Sequence, residues 1–524
     1  MTPTIGCDSA TTCPVALLDV PPALEPPESG YRQIRELGVL DRYRVLGLAG
    51  SSALAFGGCA AGALPAHDPF AQVPIIHQLR ETPAVALVVA YTGLALLVVA
   101  WLFLGRLVGS TGGPRLRSLL VTLGLWALPL CLAPPMFSKD VYSYAAQGWL
   151  VQQGSSPYLW GPAAVPGPFL GDVSGMWWHT PAPYGPVFLV LARVVVGLGG
   201  GHVVPTVLGL RLLALVGVLL LVRYVPRLAR HCGVAPDRAL WLGVLNPLVL
   251  LHFVSGAHND ALLVGLVVAG LVLALDRRPV LGTVACALAL LIKAPAPALA
   301  LVFLIPLWAG TLRGPVRLLR AGAYTGVVAG GTVAGVTSLS GLGYGWVSAL
   351  QTPGAVRNWL SGTTLLGEAS GALTKLVGLG DYTNEAIRVF RGAGGLAALV
   401  ICLLLLARPE RYGIVGSLGL GLTAVVVLSP VVQPWYLLWG FLFIAAGIRA
   451  PAPRTAVMTA SAVMSMLLMP KGGTVDVSAI VQAVLAGLAV GASAVLFEIL
   501  PLPGSGPGSG TPRPAEATSG TVGA

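Results

Sequence analysis

The chain has 524 residues, 55% hydrophobic and only 10% charged, with a mean hydropathy of +0.82. A soluble globular domain carries roughly 25% charged residues, so this composition excludes one and predicts an all-α polytopic membrane protein. The formal charge of +11 does not mark a nucleic-acid partner, because the Lys and Arg fall in short segments between apolar runs, where they orient spanning helices.

Residues 1–30 are Pro-rich and acidic without an apolar run, which predicts a disordered tail, set to end near 40, rather than a signal peptide. A spanning helix needs about 20 apolar residues. On that measure about fourteen spans are expected, at 43–63, 83–105, 118–136, 203–225, 239–256, 260–276, 279–296, 298–312, 321–340, 387–407, 413–430, 436–450, 455–470 and 478–500. They make 41–500 one transmembrane domain. PLPGSGPGSGTPRPAEATSGTVGA, residues 501–524, reads as a second disordered tail. Seven scattered cysteines (Cys7, Cys13, Cys59, Cys131, Cys232, Cys286, Cys402) show no metal-ligand spacing, so neither a disulfide framework nor a zinc site is expected.

Arginines set the orientation. Arg32, Arg35, Arg42 and Arg44 precede the first span. Arg106, Arg115 and Arg117 follow the second; Arg223, Arg227, Arg230 and Arg238 the fourth; Arg277 and Arg278 the sixth. Arg313, Arg317 and Arg320 follow the eighth, Arg408 and Arg411 the tenth, Arg449 and Arg454 the twelfth. Even-numbered spans thus end in basic, cytoplasmic loops, and both termini are cytoplasmic. GPVFLVLARVVVGLGG at 185–200 competes with this count; Arg193 interrupts it, and it is taken as a helix lying along the outer surface. Two large outer loops result, 137–202 and 341–386, and the chemistry is expected on that side.

In the first loop, Asp140 follows an apolar run directly. It is either part of a helix start with Ser138 or a partly desolvated general base, its pKa moved by burial or held down by a cation such as Lys139. Tyr142, Tyr144, Trp149, Tyr158, Trp160, Trp177, Trp178 and Tyr184 follow, suited to an interfacial belt or to stacking on sugar rings. SGMWWHTPAPYGP (174–186) is stiffened by three prolines and fixes His179 and Tyr184, in a packed turn or in a site. His258, Asn259 and Asp260, in SGAHNDAL, either cap a helix or hydrogen-bond a hydroxyl-rich ligand. Lys293, in LALLIKAPAPALA, either snorkels or meets a phosphate, beside prolines that break the helix and free backbone groups. Arg357 is a second candidate phosphate partner. Gln433-Pro434-Trp435-Tyr436 reads by itself as an interfacial anchor. No nucleotide-binding glycine motif is present. Polar groups gathered at one face favour an enzyme fed from the membrane over a transporter, whose ionisable groups sit near mid-depth.

KDVYSYAAQG (139–148), WWHTPAPYGP (177–186), GAHNDAL (256–262), LIKAPAP (291–297) and QPWYLLW (433–439) resemble, in this order, the polyprenol-phosphomannose-dependent α-1,6-mannosyltransferases of actinobacteria. These are GT-C class membrane glycosyltransferases that extend the mannan core of lipomannan and lipoarabinomannan. The resemblance implies a GT-C fold, an acidic residue in the first outer loop, a β-linked polyprenyl-phospho-mannose donor, and inversion at the anomeric carbon. It implies Asp140 as the base for the 6-hydroxyl of a lipid-anchored mannan acceptor, and Lys293 and Arg357 on the donor phosphate. His179, Tyr184, His258, Asn259, Asp260, Gln433, Trp435 and Tyr436 would bind sugar. Only Asp140 stands where many GT-C enzymes carry an acidic pair, so no cofactor is expected and a divalent metal is left open. Competing readings are a polyprenyl-phospho-arabinose-dependent arabinofuranosyltransferase and a lipid-linked-sugar flippase.

Overall fold

The computed structural model describes residues 28–110, 113–352 and 356–472, and among these every regular element is helical. The expected span 478–500 and the tails 1–27 and 501–524 lie outside the described residues. α1 (Glu28–Ala61) begins within the segment expected as a tail. It is followed by α2 (Pro74–Glu81), α3 (Pro83–Gly109) and α4 (Leu116–Leu132). The first large loop holds α5 (Asp140–Gln152) and α6 (Pro186–Leu198), joined by short 3-10 turns, and leads to α7 (Val203–His231). Proline opens α3 and α6, where its fixed φ suits a helix and its missing N–H costs nothing.

The expected span 239–256 is a broken helix. Short α8 (Pro236–Ala239) continues as a π-helical turn over Leu240–Val244, and a second π-helical segment covers Val249–Ser255. The two halves meet at 64°. Pro247 cannot donate and disfavours helix at the residue before it. Buried Asn246 repairs the break: its Nδ2 donates to the Leu242 carbonyl (2.9 Å) and Ser461 Oγ (2.7 Å), and its Oδ1 accepts from Leu248 N (2.9 Å).

The remainder comprises α9 (Asp260–Leu275), α10 (Pro279–Leu290), α11 (Pro295–Ala309), α12 (Arg317–Ser340), short α13 (Trp346–Ala349), α14 (Gly362–Leu376), α15 (Thr383–Ala407), α16 (Gly413–Val427), α17 (Leu438–Gly447) and α18 (Pro451–Met466). The bent pair, α9 and α17 are buried nearly all round and form the centre. α12 and α15 leave large apolar residues such as Val327, Leu339, Val389 and Leu396 exposed. Four helical stretches are long and apolar enough to cross a bilayer, Gly38–Ala61, Pro83–Gly109, Val203–His231 and Thr383–Ala407, and the bent pair makes a fifth if counted as one span. The other apolar helices run 10–17 residues. α6 has 13, short of what a single crossing needs, and packs by Ala192 against Gly148 of α5.

Glycine lets neighbouring backbones touch, the usual device where no hydrophobic effect separates helix from lipid. A Cβ on Gly50 of α1 would lie 2.7 Å from both Gly93 O and Leu97 N of α3. Gly217 of α7 meets Ala261 and Leu262 of α9 in the same way, and Gly419 of α16 meets Gly440 and Ile444 of α17. Overpacking of this kind costs about 1–3 kcal/mol. Gly50→Leu should therefore lower the melting temperature of detergent-solubilised protein by several degrees. Gly124→Leu, at a position with nothing within 4 Å of its Cβ, should leave it unchanged.

Candidate active site

Two backbone segments converge ahead of α5 and α9. One is Ala133–Lys139, the other Gly256–Asn259. Each contains a non-glycine residue in the left-handed region, Phe137 (φ 68°) and Ala257 (φ 55°). Such a conformation costs about 1–2 kcal/mol and persists where its surroundings enforce it. Phe137 N donates to Pro470 O at 2.7 Å, and His258 N donates to His252 O at 3.1 Å. Gly256 lies against the Met136 carbonyl, so the two turns touch.

Asp140 is the first helical residue of α5, after Lys139 at the cap position. Its N–H donates to Ser138 Oγ (3.0 Å), while its carboxylate caps no backbone group. The carboxylate is 24% exposed and lies 3.6 Å, through Oδ2, from Nδ1 of fully buried His258. Burial pushes the Asp140 carboxyl above the ordinary carboxylate value; Lys293 and the Ser138 hydrogen bond pull it down, and Asp260 pushes it up again. The cation acting on Asp140 is thus Lys293. Lys139, expected in that part, acts on Asp172 instead.

His258 Nδ1 is also 3.3 Å from Tyr144 Oη, which donates to Asn259 Oδ1 at 3.5 Å. Burial, with His252 and Lys293 nearby, pushes the His258 imidazole well below its usual range, so it is neutral at pH 7. Its ring stacks on Trp435 at 4.0 Å. His258 Nε2, Asn259 Nδ2 and Trp435 Nε1 are buried without hydrogen-bond partners. Orphaned buried polar atoms gathered in this way call for a ligand or water.

Asp260 opens α9 and is fully buried. Lys293 Nζ donates to both of its carboxylate oxygens, at 3.2 and 3.0 Å, and Trp439 Nε1 donates to Oδ1 at 2.8 Å. The ammonium, 11% exposed, also lies over the rings of Tyr436 (4.4 Å), Trp439 (5.7 Å) and Tyr184 (5.8 Å). Lys293 stands between α10 and α11, where the helix is interrupted ahead of Pro295. The break leaves two carbonyls to satisfy. Ile292 O accepts from Gly185 N (3.0 Å) and Leu291 O from Val187 N (3.1 Å), tying the PAPYGP turn to the lysine. A side chain at 185 would strike Leu291, which requires glycine there.

The structure therefore joins Asp140, Tyr184, His258, Asn259, Asp260, Lys293, Trp435 and Tyr436. Gln433 sits half-buried at the rim, just before the Pro434–Leu437 turn. His179 is exposed, and no contact among the described residues links it to the cluster. Arg357 is 53% exposed, donates to Asn384 Oδ1 (2.8 Å) and lies 3.9 Å from Glu368. With Trp177 and Thr180 it lines a separate cleft of about 290 Å³. Sequence reasoning passed over Trp439 and left Tyr144 among the general aromatics. Trp439 follows Tyr436 by three residues, the spacing that brings two side chains to one helical face. Among the described residues, no three His, Cys, Asp or Glu side chains gather as a metal-ligand set.

No solved structure matches the chain. A family model described as alpha-(1->6)-mannopyranosyltransferase, N-terminal domain, matches residues 44–310, and one described as MptB C-terminal domain matches 363–496. The chain is 36% identical over 492 residues to alpha-(1->6)-mannopyranosyltransferase Rv1459c of Mycobacterium tuberculosis, covering 82% of this chain and 83% of that one. It is 35% identical over 441 residues to alpha-(1->6)-mannopyranosyltransferase A of the same organism (82% and 84%). To alpha-(1->6)-mannopyranosyltransferase B of Corynebacterium glutamicum it is 32% identical over 486 residues (87% and 81%). The chain belongs to the alpha-(1->6)-mannopyranosyltransferase family, and is a mannosyltransferase.

Proposed function

We propose that this enzyme moves mannose from polyprenyl-phospho-mannose to the 6-hydroxyl of a lipid-anchored α-1,6-mannan, with inversion, at the outer face of a multi-pass GT-C membrane domain. The observation that carries this reading is one carboxylate, Asp140, left partly open to solvent in a cluster where the other, Asp260, is closed off by a cation. Asp140 takes the proton of the acceptor 6-hydroxyl. The acceptor oxygen bonds to the anomeric carbon as that carbon's bond to the phosphate oxygen breaks, so a β-linked donor gives an α-linked product. Polyprenyl phosphate leaves with the electron pair. Lys293 spends two N–H groups on Asp260 and presents the third to the departing phosphate. Asp260 acts here by orienting Lys293. His258 Nδ1 faces Asp140 at 3.6 Å, and Asn259, Trp435, Tyr436 and Tyr184 line the sugar. Arg357, bound to Asn384 and Glu368, has no step in this scheme.

Asp140→Asn keeps the side chain's size and cannot take the proton. Turnover of polyprenyl-phospho-mannose with short α-1,6-mannosides should fall about 10²–10⁴-fold, with thermal stability intact; near-normal transfer would remove Asp140 from the chemistry. The base form exists only above the folded-state pKa, which burial raises. The acid limb of kcat/KM should therefore lie above 3.8, the ordinary value for an aspartate.

Lys293→Met alone strands the buried Asp260 carboxylate and should destabilise the protein by about 3–5 kcal/mol. Lys293→Met with Asp260→Asn retains an acceptor for Trp439 and should recover most of that loss. The double variant should still lose about ten- to a hundredfold in kcat/KM, the worth of one charge-assisted contact of roughly 1.5–3 kcal/mol. Its acid limb should also move to higher pH, since of the two charges removed Lys293, which lowers the Asp140 pKa, outweighs Asp260, which raises it.

Sidedness has its own test. In a cysteine-free background, cysteine at Gln153 or Leu379 should react with an impermeant thiol reagent in intact cells, and cysteine at Ser110 should not. The opposite pattern would invert the topology.

A further inference from the structure

Arg211 stands within the apolar stretch LGLRLLALVG (208–217) of α7 and is 3% exposed. Among the described residues its hydrogen bonds all go to backbone carbonyls. Nη1 donates to Cys131 O (2.6 Å) and Ala133 O (2.9 Å), and Nη2 donates to Ser255 O (3.0 Å). Helix ends leave their last carbonyls without partners. Pro134 and Pro135, which follow α4, have no N–H to offer. The guanidinium thus closes two helix ends at once, that of α4 and that of Val249–Ser255. Beyond Ala133 the chain passes through left-handed Phe137 to Asp140; beyond Ser255 it passes through left-handed Ala257 to His258. A planar fork with several fixed donors can hold three carbonyls in a set arrangement, whereas an ammonium is a point charge on a flexible stem.

We propose that Arg211 is a positioning residue for mannosyl transfer: by clasping the ends of α4 and of the second half of the bent pair, it sets Asp140 against His258. This rests on the assignment of Asp140 as base. Among the described residues no hydrogen bond or ion pair joins Arg211 to Asp140 or His258, so it acts through the two backbones that carry them. A misplacement of about 1 Å at a reacting centre can cost on the order of a hundredfold in rate.

The test uses the purified full chain, polyprenyl-phospho-mannose and a short α-1,6-mannoside, with Arg211→Lys and Arg211→Gln made singly and in the Asp140→Asn background. Arg211→Lys keeps the buried charge and loses the fork, so it should fold. Its kcat per folded enzyme should fall about ten- to a hundredfold, with the donor KM nearly unchanged. Arg211→Gln, which loses the charge as well, should fall at least as far. In the Asp140→Asn background the lysine change should cost much less, because the base it aligns is absent. An unchanged kcat in folded Arg211→Lys, or an equal fold-loss in both backgrounds, would reduce Arg211 to a structural clasp. Normal turnover by Asp140→Asn alone would instead overturn the assignment of the base on which the inference stands.

Discussion

The pairing of Lys293 with Asp260 is the constraint on which the centre of this molecule turns. Two charges removed from water carry a desolvation cost of several kcal/mol each, offset only when geometry is good and the remaining hydrogen-bonding capacity is filled. Here both carboxylate oxygens are used by the ammonium and one also by Trp439. The ammonium in turn lies over three aromatic rings, with Tyr436 the nearest. Satisfying the pair requires the break between α10 and α11, the start of α9, the first turn of α17 and the PAPYGP turn to meet at one point. Those elements are distant in sequence, and the ion pair fixes their register more sharply than apolar contact alone, which tolerates sliding.

Interrupted helices supply the rest of the site. Proline frees carbonyls at Leu291 and Ile292, and the first large loop fills them. The prolines after α4 leave carbonyls at Cys131 and Ala133, and Arg211 fills those. In an apolar interior an unpaired backbone group is costly, so each break demands a specific partner. The broken ends thereby become fixed points, and the functional side chains stand directly beside them. The strain at Phe137 and Ala257 is tolerated because both turns are held from either side.

Helix type and most of the candidate cluster were readable from sequence because both rest on local signals. Apolar runs marked where helices form, though of the fourteen expected spans only four described helical stretches, or five with the bent pair, are long and apolar enough to cross a bilayer; five short polar motifs marked the residues that the fold assembles. What escaped depended on direction and distance. Lys139 adjoins Asp140 in sequence, yet its charge acts on Asp172, and Lys293, over 150 residues away, is the cation that acts on Asp140. The break at Asn246-Pro247 falls inside an apolar run, where hydropathy gives a continuous span and only the proline hints at a bend. Arg357 looked like a phosphate partner by charge, but the second loop binds it to its own Asn384 and Glu368. Arg211 carried the opposite signal, a lone ionisable residue in a helix long and apolar enough to cross a bilayer, which by itself points to function or to a paired backbone.

Asp140 and Asp260 lie in one cluster, yet their surroundings prepare them for different work. Asp260 has no contact with water, and its lone pairs are spent on Lys293 and Trp439. Those contacts hold the carboxylate in place and leave it no free face for a substrate hydroxyl. Asp140 is reached by solvent, faces a neutral imidazole, and makes no hydrogen bond through its carboxylate to another carboxylate's cation. Protonating it releases no buried charge from its partner, so its proton can come and go at small cost. Of two carboxylates in one cluster, the acid–base role falls to the one that a substrate hydroxyl can reach. In the proposed reaction that is Asp140, and the immobility of Asp260 is what keeps Lys293 charged and aimed while the proton moves.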